Sequence, residues 1–341
     1  MNFASDNAYG ASPEILAALS AAAEGAVPSY GDDAITARVR EKMRAIFERD
    51  VAVYPVVTGT AANSLALATL CPPYGAVFCH QESHIAVDEC AAPEFFTGGA
   101  KLVHLEGDGG KITPAAIEAA LPGFQCGVHS PKPTVVSITQ ATEFGTVYKA
   151  GEIKAIADCA HKHGMTLHMD GARFANALVT LGCTAAEMTW KAGVDALSFG
   201  ATKNGALCAE AVVFFDHARG SEFEYRRKKA GHLVSKMRFI SAQLDAYLEK
   251  DLWLSNARRA NALAKKLGDG LNSIPGVSLA HPVEGNGVFA WLPKQLAARL
   301  HQNGAKFYDW ASDGDRVMVR LVVSFTTPDA DVAKFLQAAK A

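Results

Sequence analysis

Val194-Asp195-Ala196-Leu197-Ser198-Phe199-Gly200-Ala201-Thr202-Lys203-Asn204-Gly205 is the stretch on which the fold turns. Its first four residues read as a short buried strand, which delivers a lysine among small and hydroxylated neighbours. An ammonium is costly to bury unless it is paired or neutralised, so lysines ordinarily occupy solvated faces. One chemistry that requires a lysine in such a place is a Schiff base, where the amine condenses with the carbonyl of a cofactor or substrate. Taken alone, Lys203 has a plainer explanation as a loop lysine. The rest of the chain decides between the two.

Outward from this stretch, strands and helices alternate. Strand patterns occupy 51–54, 76–79, 101–105, 134–138, 166–170 and 211–215. Helices are predicted from Ser12-Pro13-Glu14, over 35–47, from Thr58 through Leu67, from Thr113-Pro114 to Leu121, over 152–163 and over 185–191. Hydroxyl caps, prolines at first helical positions and closing glycines punctuate them. Such alternation implies an α/β fold: an open, mostly parallel central sheet with helices on both faces. Ligands bind such sheets beyond the carboxyl ends of the strands. Asp170 and Lys203 both fall at such ends, so one crevice can receive both. After about Asp216 the pattern changes to two long helical stretches, 222–250 and 255–271, then strands at 287–291 and 316–322 and a last helix from Pro328-Asp329. The expected division is a large domain, 1–245, that includes the N-terminal segment, and a small C-terminal α/β domain, 246–341.

Composition narrows the function. The 341 residues carry a formal net charge of −2, with no basic arm or charge block, which argues against nucleic acid and anionic membranes as partners. The region 51–81 lacks Asp, Glu, Lys and Arg, yet Pro55, Gly59, Asn63, Pro72, Pro73 and Gly75 interrupt it too often for a membrane span. Seven scattered cysteines without a C-x-x-C pair suit reduced thiols in a cytoplasm, with no metal site and no disulfide frame expected. The opening residues lack the basic end and apolar run of a signal peptide.

Two further motifs join the lysine. Thr58-Gly59-Thr60 lies between a strand and a helix, where glycine admits an anion to the backbone and free N–H groups and hydroxyls can hold a phosphate. An ordinary capped turn would look the same. Met169-Asp170-Gly171-Ala172-Arg173 ends a buried strand on a carboxylate, which needs a cationic partner; a pyridinium N–H is one. No dinucleotide fingerprint is present. Phosphate cradle, acid and lysine come in this chain order with helix–strand units between them, and together they lift a pyridoxal phosphate reading far above any one part.

On these residues the chain resembles the pyridoxal-phosphate-dependent threonine aldolases of the low-specificity L type, within the aspartate-aminotransferase-like, type I transferase fold group. Ser5-Asp6, Tyr30-Gly31, Thr58-Gly59-Thr60, Ser83-His84 with Glu89, Asp170-Gly171-Ala172-Arg173, Lys203 and Arg320-Leu321-Val322 carry the resemblance over nearly the whole chain. It implies that Lys203 forms the Schiff base with pyridoxal 5′-phosphate, that Asp170 pairs with the ring nitrogen, and that Gly59 and Thr60 hold the phosphate. His84 would stack on the ring near the substrate's β-hydroxyl and act as base, directly or through a water that Glu89 helps orient. Ser5, Arg173 and Arg320 would anchor the substrate carboxylate, with Arg173 also beside the cofactor. Arg238 would reach a neighbouring subunit's phosphate, and Tyr30 an adjacent subunit's site. A homotetramer with shared active sites follows from the same resemblance.

There are departures. A lysine that often accompanies the arginine matched by Arg238 is replaced by Gly231, leaving Lys228, Lys229 and Lys236 as substitutes. Asn204-Gly205-Ala206 and Thr139-Gln140-Ala141-Thr142 also differ from the commonest forms. The activity implied is cleavage of L-threonine or L-allo-threonine, and related β-hydroxy-α-amino acids, to glycine and an aldehyde. The alternative is another pyridoxal phosphate lyase or an aminotransferase acting on a small amino acid. A non-catalytic binding module is the reading from a different class.

Overall fold

Runs of β-branched and small apolar residues build a seven-stranded sheet from β1 (Ala52–Val56), β2 (Gly75–His80), β3 (Lys101–Leu105), β4 (Lys132–Thr139), β5 (Thr166–Gly171), β6 (Ala196–Gly200) and β7 (Glu210–Phe214). The structure is a computed structural model and describes residues 1–340. The strand order is β1-β7-β6-β5-β4-β2-β3. The pairs β2–β3, β2–β4, β4–β5 and β5–β6 are parallel, and β7 runs antiparallel to both β6 and β1. Strands β2, β5, β6 and β7 are buried along their whole length, which is why they read as continuous apolar runs without alternation. The sheet is therefore mostly parallel, as the alternation implies.

The tops of β5 and β6 lie side by side, with Asp170 opposite Ser198. Glycine permits this closeness. A Cβ at Gly200 would stand 2.6 Å from the Ala172 carbonyl oxygen, and one at Gly171 would stand 2.7 Å from that of Ser198.

The smaller sheet is antiparallel, β10 (Tyr308–Asp313), β11 (Arg316–Val322), β9 (Gly287–Pro293) and β8 (Ser278–Leu279) in that order. Its apolar cluster draws Leu267 and Leu271 from the helix Leu252–Asn272, Leu300 from Lys294–Gln302 and Phe335 from Asp329–Lys340. The N-terminus joins it: Phe3 is fully buried there, its N–H donating to Lys306 O at 2.7 Å and its carbonyl accepting from Val322 N at 2.8 Å.

Several local expectations change. The stretch 222–250 is not one helix but two, Phe223–Lys229 and Arg238–Tyr247, separated at Gly231, whose φ of 78° no continuing helix accepts. Residues 185–191 form one turn, Ala185–Met188, then a 3-10 turn. The helix Phe174–Leu181 and strand β10 were not legible in the pattern. Ser12 precedes the helix Pro13–Ala22 as expected but makes no capping bond; its Oγ accepts from Asn256 Nδ2 at 3.0 Å. Among the described residues no helix is long and apolar enough to cross a membrane.

Candidate active site

The helix Gly59–Leu70 begins where β1 ends. Thr58 caps it, Oγ1 accepting from Ala61 N at 3.2 Å. The N–H groups of Gly59 and Thr60 fall in the first turn, where no intrahelical partner exists, and the helix's positive end adds to their pull on an anion. Nothing lies within 4 Å of where a Gly59 side chain would start. Gly59, Thr60, His84, Asp170 and Lys203 border one cavity of about 290 Å³ beyond the carboxyl ends of the strands. The sequence-predicted centre is thus assembled in one place.

Asp170 is buried. Its Oδ1 accepts from Ala172 N at 2.9 Å and its Oδ2 from Asn63 Nδ2 at 2.8 Å. A carboxylate offers about four acceptor positions, so capacity remains for a ring N–H. Lys203 lies in the 3-10 turn Thr202–Asn204 that follows β6. Asn204, part of the unusual stretch after the lysine, fixes that turn: its Nδ2 donates to Tyr247 OH at 2.7 Å and to Trp253 O at 2.8 Å. Gly205 has φ 129° and would clash through any Cβ with Ser12 Oγ at 2.5 Å. The unusual stretch thus anchors the lysine turn to the helix Leu252–Asn272 and the residue Tyr247.

His84 opens the short helix His84–Val87, and its Nδ1 lies 2.7 Å from Glu89 Oε1. The bond to Glu89 raises the His84 pKa above its ordinary value; burial works the other way, as does Lys203, while Asp170 adds to the rise. Glu89 is itself raised, because burial outweighs the hydrogen bonds from His84 and Asn63. Sequence reading missed Asn63 as a site residue, and it missed Glu210. The buried Glu210 carboxyl borders the cavity and accepts from Ala201 N at 3.1 Å, and burial pushes its pKa up to about 7. His168, two residues before Asp170, is held between Ser137 Oγ and Ser198 Oγ at 2.9 and 3.0 Å, and burial lowers it to about 4, so it stays neutral.

The remaining predicted residues lie elsewhere. Arg173 and Arg320 share a second, smaller cavity of about 20 Å³ with Asn286. Arg173 is held by Asp6, Nε donating to Oδ2 at 2.8 Å and Nη2 to Oδ1 at 3.0 Å. Arg320 stands 5.0 Å from the ring centres of both Tyr308 and Trp310, and its buried Nε has no partner. Burial lowers its pKa, and the nearby Arg173 charge lowers it further. Ser5 caps the turn Asp6–Ala8 through Asn7 N at 3.1 Å, and it is Asn7 that borders the larger cavity. Tyr30 and Arg238 are outside both cavities. Tyr30 is 44% exposed, and Arg238 donates to the Glu24 and Gly25 carbonyls at 3.3 and 3.0 Å.

A buried acid with spare acceptor capacity, an unpaired helix start and a lysine on one cavity fit pyridoxal 5′-phosphate in ring, phosphate and carbonyl. Together with the sheet topology they define a pyridoxal-phosphate enzyme of fold type I. The comparisons agree. The family model of the beta-eliminating lyases matches residues 2–295. The low-specificity L-threonine aldolase of a Pseudomonas species is 48% identical over 331 residues, 97% of this chain and 94% of that protein. That of Pseudomonas aeruginosa is 48% identical over 312 residues, 92% and 90% of the two chains. The solved threonine aldolase of Leishmania major superposes with a TM-score of 0.94 at 28% identity, covering 99% and 98%. A serine palmitoyltransferase of Sphingomonas wittichii, at 14% identity and a TM-score of 0.74, shares the fold alone. The chain belongs to the beta-eliminating lyase family, and its cofactor is pyridoxal phosphate.

Proposed function

We propose that this protein cleaves L-threonine and L-allo-threonine, and related β-hydroxy-α-amino acids, to glycine and an aldehyde. The observation that carries the reading is His84 on the wall of the cavity that Lys203 and Asp170 border, with Glu89 on its Nδ1. An imidazole held in this way keeps Nε2 available as a proton acceptor, the arrangement a general base needs. The 48% identity to named aldolases supports the same choice.

Bound pyridoxal phosphate supplies an electron sink for the pair left when the substrate's Cα–Cβ bond breaks. Lys203 provides the amine that holds the cofactor. Gly59 and Thr60 bind its phosphate, and Asp170 keeps a proton on its ring nitrogen. His84 Nε2 takes the β-hydroxyl proton, while Glu89 steadies the imidazolium that results. Arg173 and Arg320 bind the substrate carboxylate, with Ser5 beside them; guanidinium suits this through its fork of donors.

The same reading makes the protein a cytoplasmic homotetramer with shared sites. The sharing of sites between subunits is supported by the placement of Tyr30 and Arg238 away from their own chain's two site cavities. Lys228, 4.5 Å over the Tyr30 ring, is the lysine best placed to replace the one absent at Gly231. The division at 245/246 also belongs to this proposal. Two separate apolar clusters support a two-domain division, and they meet along the helix Leu252–Asn272, which gives Trp253 to one and Leu267 to the other.

The test is acetaldehyde release from L-threonine by wild type and Lys203→Ala, with visible spectra of both. A yellow wild type that releases acetaldehyde and glycine, beside an inert, colourless mutant, upholds the proposal. A yellow protein that yields no acetaldehyde refutes it in favour of β-elimination or transamination.

A further inference from the structure

Asn63 sits inside the helix Gly59–Leu70, where every residue from Ala61 to Ala68 is buried. Its Nδ2 donates to Glu89 Oε1 at 2.8 Å and to Asp170 Oδ2 at 2.8 Å. An amide NH₂ has two hydrogens, so one nitrogen serves two carboxylates. With His84 Nδ1 on the same Glu89 oxygen, a continuous chain runs His84–Glu89–Asn63–Asp170.

We propose that Asn63 is a positioning residue whose single amide binds the cofactor-facing Asp170 and the His84–Glu89 pair into one unit. The proposal rests on the function given above. Packing does not explain the residue, since its amide nitrogen faces two carboxylates rather than apolar side chains. Nor does the amide as a whole find partners: Asn63 Oδ1 is buried and unbonded, as is Glu89 Oε2. A buried, unmatched oxygen is destabilising, so the side chain serves through its donors. The opposite amide orientation would set Oδ1 against two carboxylate oxygens, which fixes the assignment.

The donors keep two neighbouring carboxylates compatible. Asp170 raises the Glu89 pKa by like charge, and Asn63 opposes that rise. The groups acting on the His84–Glu89 pair are Asp170 from β5, Lys203 beyond β6 and Asn63 from the helix. Without the amide, Glu89 takes up a proton more readily and gives less support to the His84 imidazolium. His84 then loses basicity, and the rising limb of kcat/KM against pH moves to lower pH. Asp170, free of one hydrogen bond, holds the cofactor less firmly.

Holoenzymes of wild type, Asn63→Leu and Asn63→Asp are compared by pyridoxal phosphate dissociation constant, from equilibrium dialysis, and by the pH profile with L-threonine. For Asn63→Leu the cofactor Kd rises about tenfold and the rising limb shifts to lower pH. In a leucine variant with native circular dichroism, either readout left at its wild-type value overturns the proposal. If the leucine variant does not fold, Asn63→Asp decides: it has the same shape but places a third carboxylate between the two. A loss of cofactor affinity there supports the proposal, and wild-type affinity overturns it. Should wild type release no acetaldehyde, the aldolase reading fails. The dissociation constants then decide the role of Asn63 alone.

Discussion

Replacing Asp6 with asparagine should destabilise the protein and weaken substrate binding together. Asp6 is 4% exposed and joins three parts of the chain: the N-terminal segment, Arg173 beyond β5, and Asn286, whose Nδ2 donates to Asp6 Oδ2 at 3.0 Å. Removing one member of a buried ion pair costs about 3–5 kcal/mol, because the other charge is left uncompensated. The Arg173 side chain is 17% exposed, so water recovers part of this and the lower figure, about 3 kcal/mol, applies. For a chain of this size about 1.4 °C of Tm corresponds to each kcal/mol, which gives a fall of about 4 °C with cofactor saturating both proteins. Burial pulls the Asp6 pKa up, but Arg173 and Lys203, with hydrogen bonds from Arg173 and Asn286, bring it below its ordinary 3.8. A depressed carboxyl stabilises the fold above its unfolded pKa and loses that contribution as pH falls through the folded one. The Tm gap between wild type and Asp6→Asn should therefore narrow below about pH 4. Arg173, no longer clamped, should raise the L-threonine KM by about tenfold. An unchanged Tm at pH 7, or a gap that persists on acidification, would refute the staple assigned to Asp6.

Three further outcomes can be measured. Glu89→Gln replaces the charge-assisted hydrogen bond that raises the His84 pKa with a weaker neutral one, so the rising limb of the kcat/KM profile should move to lower pH and kcat should fall by about 10²-fold. Asn204→Leu leaves the Trp253 carbonyl without its donor and frees the lysine turn, costing about 1–3 kcal/mol in urea unfolding and slowing recovery of the yellow band when apo-protein is reloaded. Gly200→Ala drives a methyl against the Ala172 backbone at 2.6 Å, which cannot rotate aside as a side chain can. A loss of about 1–3 kcal/mol and reduced cofactor retention on dialysis should follow.

How much of this was legible in the sequence depends on chain distance. Thr58-Gly59-Thr60 and the lysine after β6 were readable because strand, turn and functional side chain are contiguous, and the alternation of elements supplied the crevice. Asp170 was readable for the same reason. What sequence could not supply was the partner of each charge. Asn63 and Asp170 are 107 residues apart, Asp6 and Arg173 are 167 apart, and Asp6 and Asn286 are 280 apart. Pairing over such separations is set by the order in which strands enter the sheet, which no local pattern records. Arg173 could thus be read as a ligand of the substrate carboxylate with no sign that Asp6 orients it. One signal was available. Asn63 stands inside a charge-free stretch from Val51 to Gln81, at the centre of a helix otherwise made there of alanine, serine and leucine. A lone amide in such a helix must be buried, and a buried amide must be matched. The carboxylates most in need of a donor are those at the site, so the residue least like its neighbours was the pointer to the centre of the chemistry.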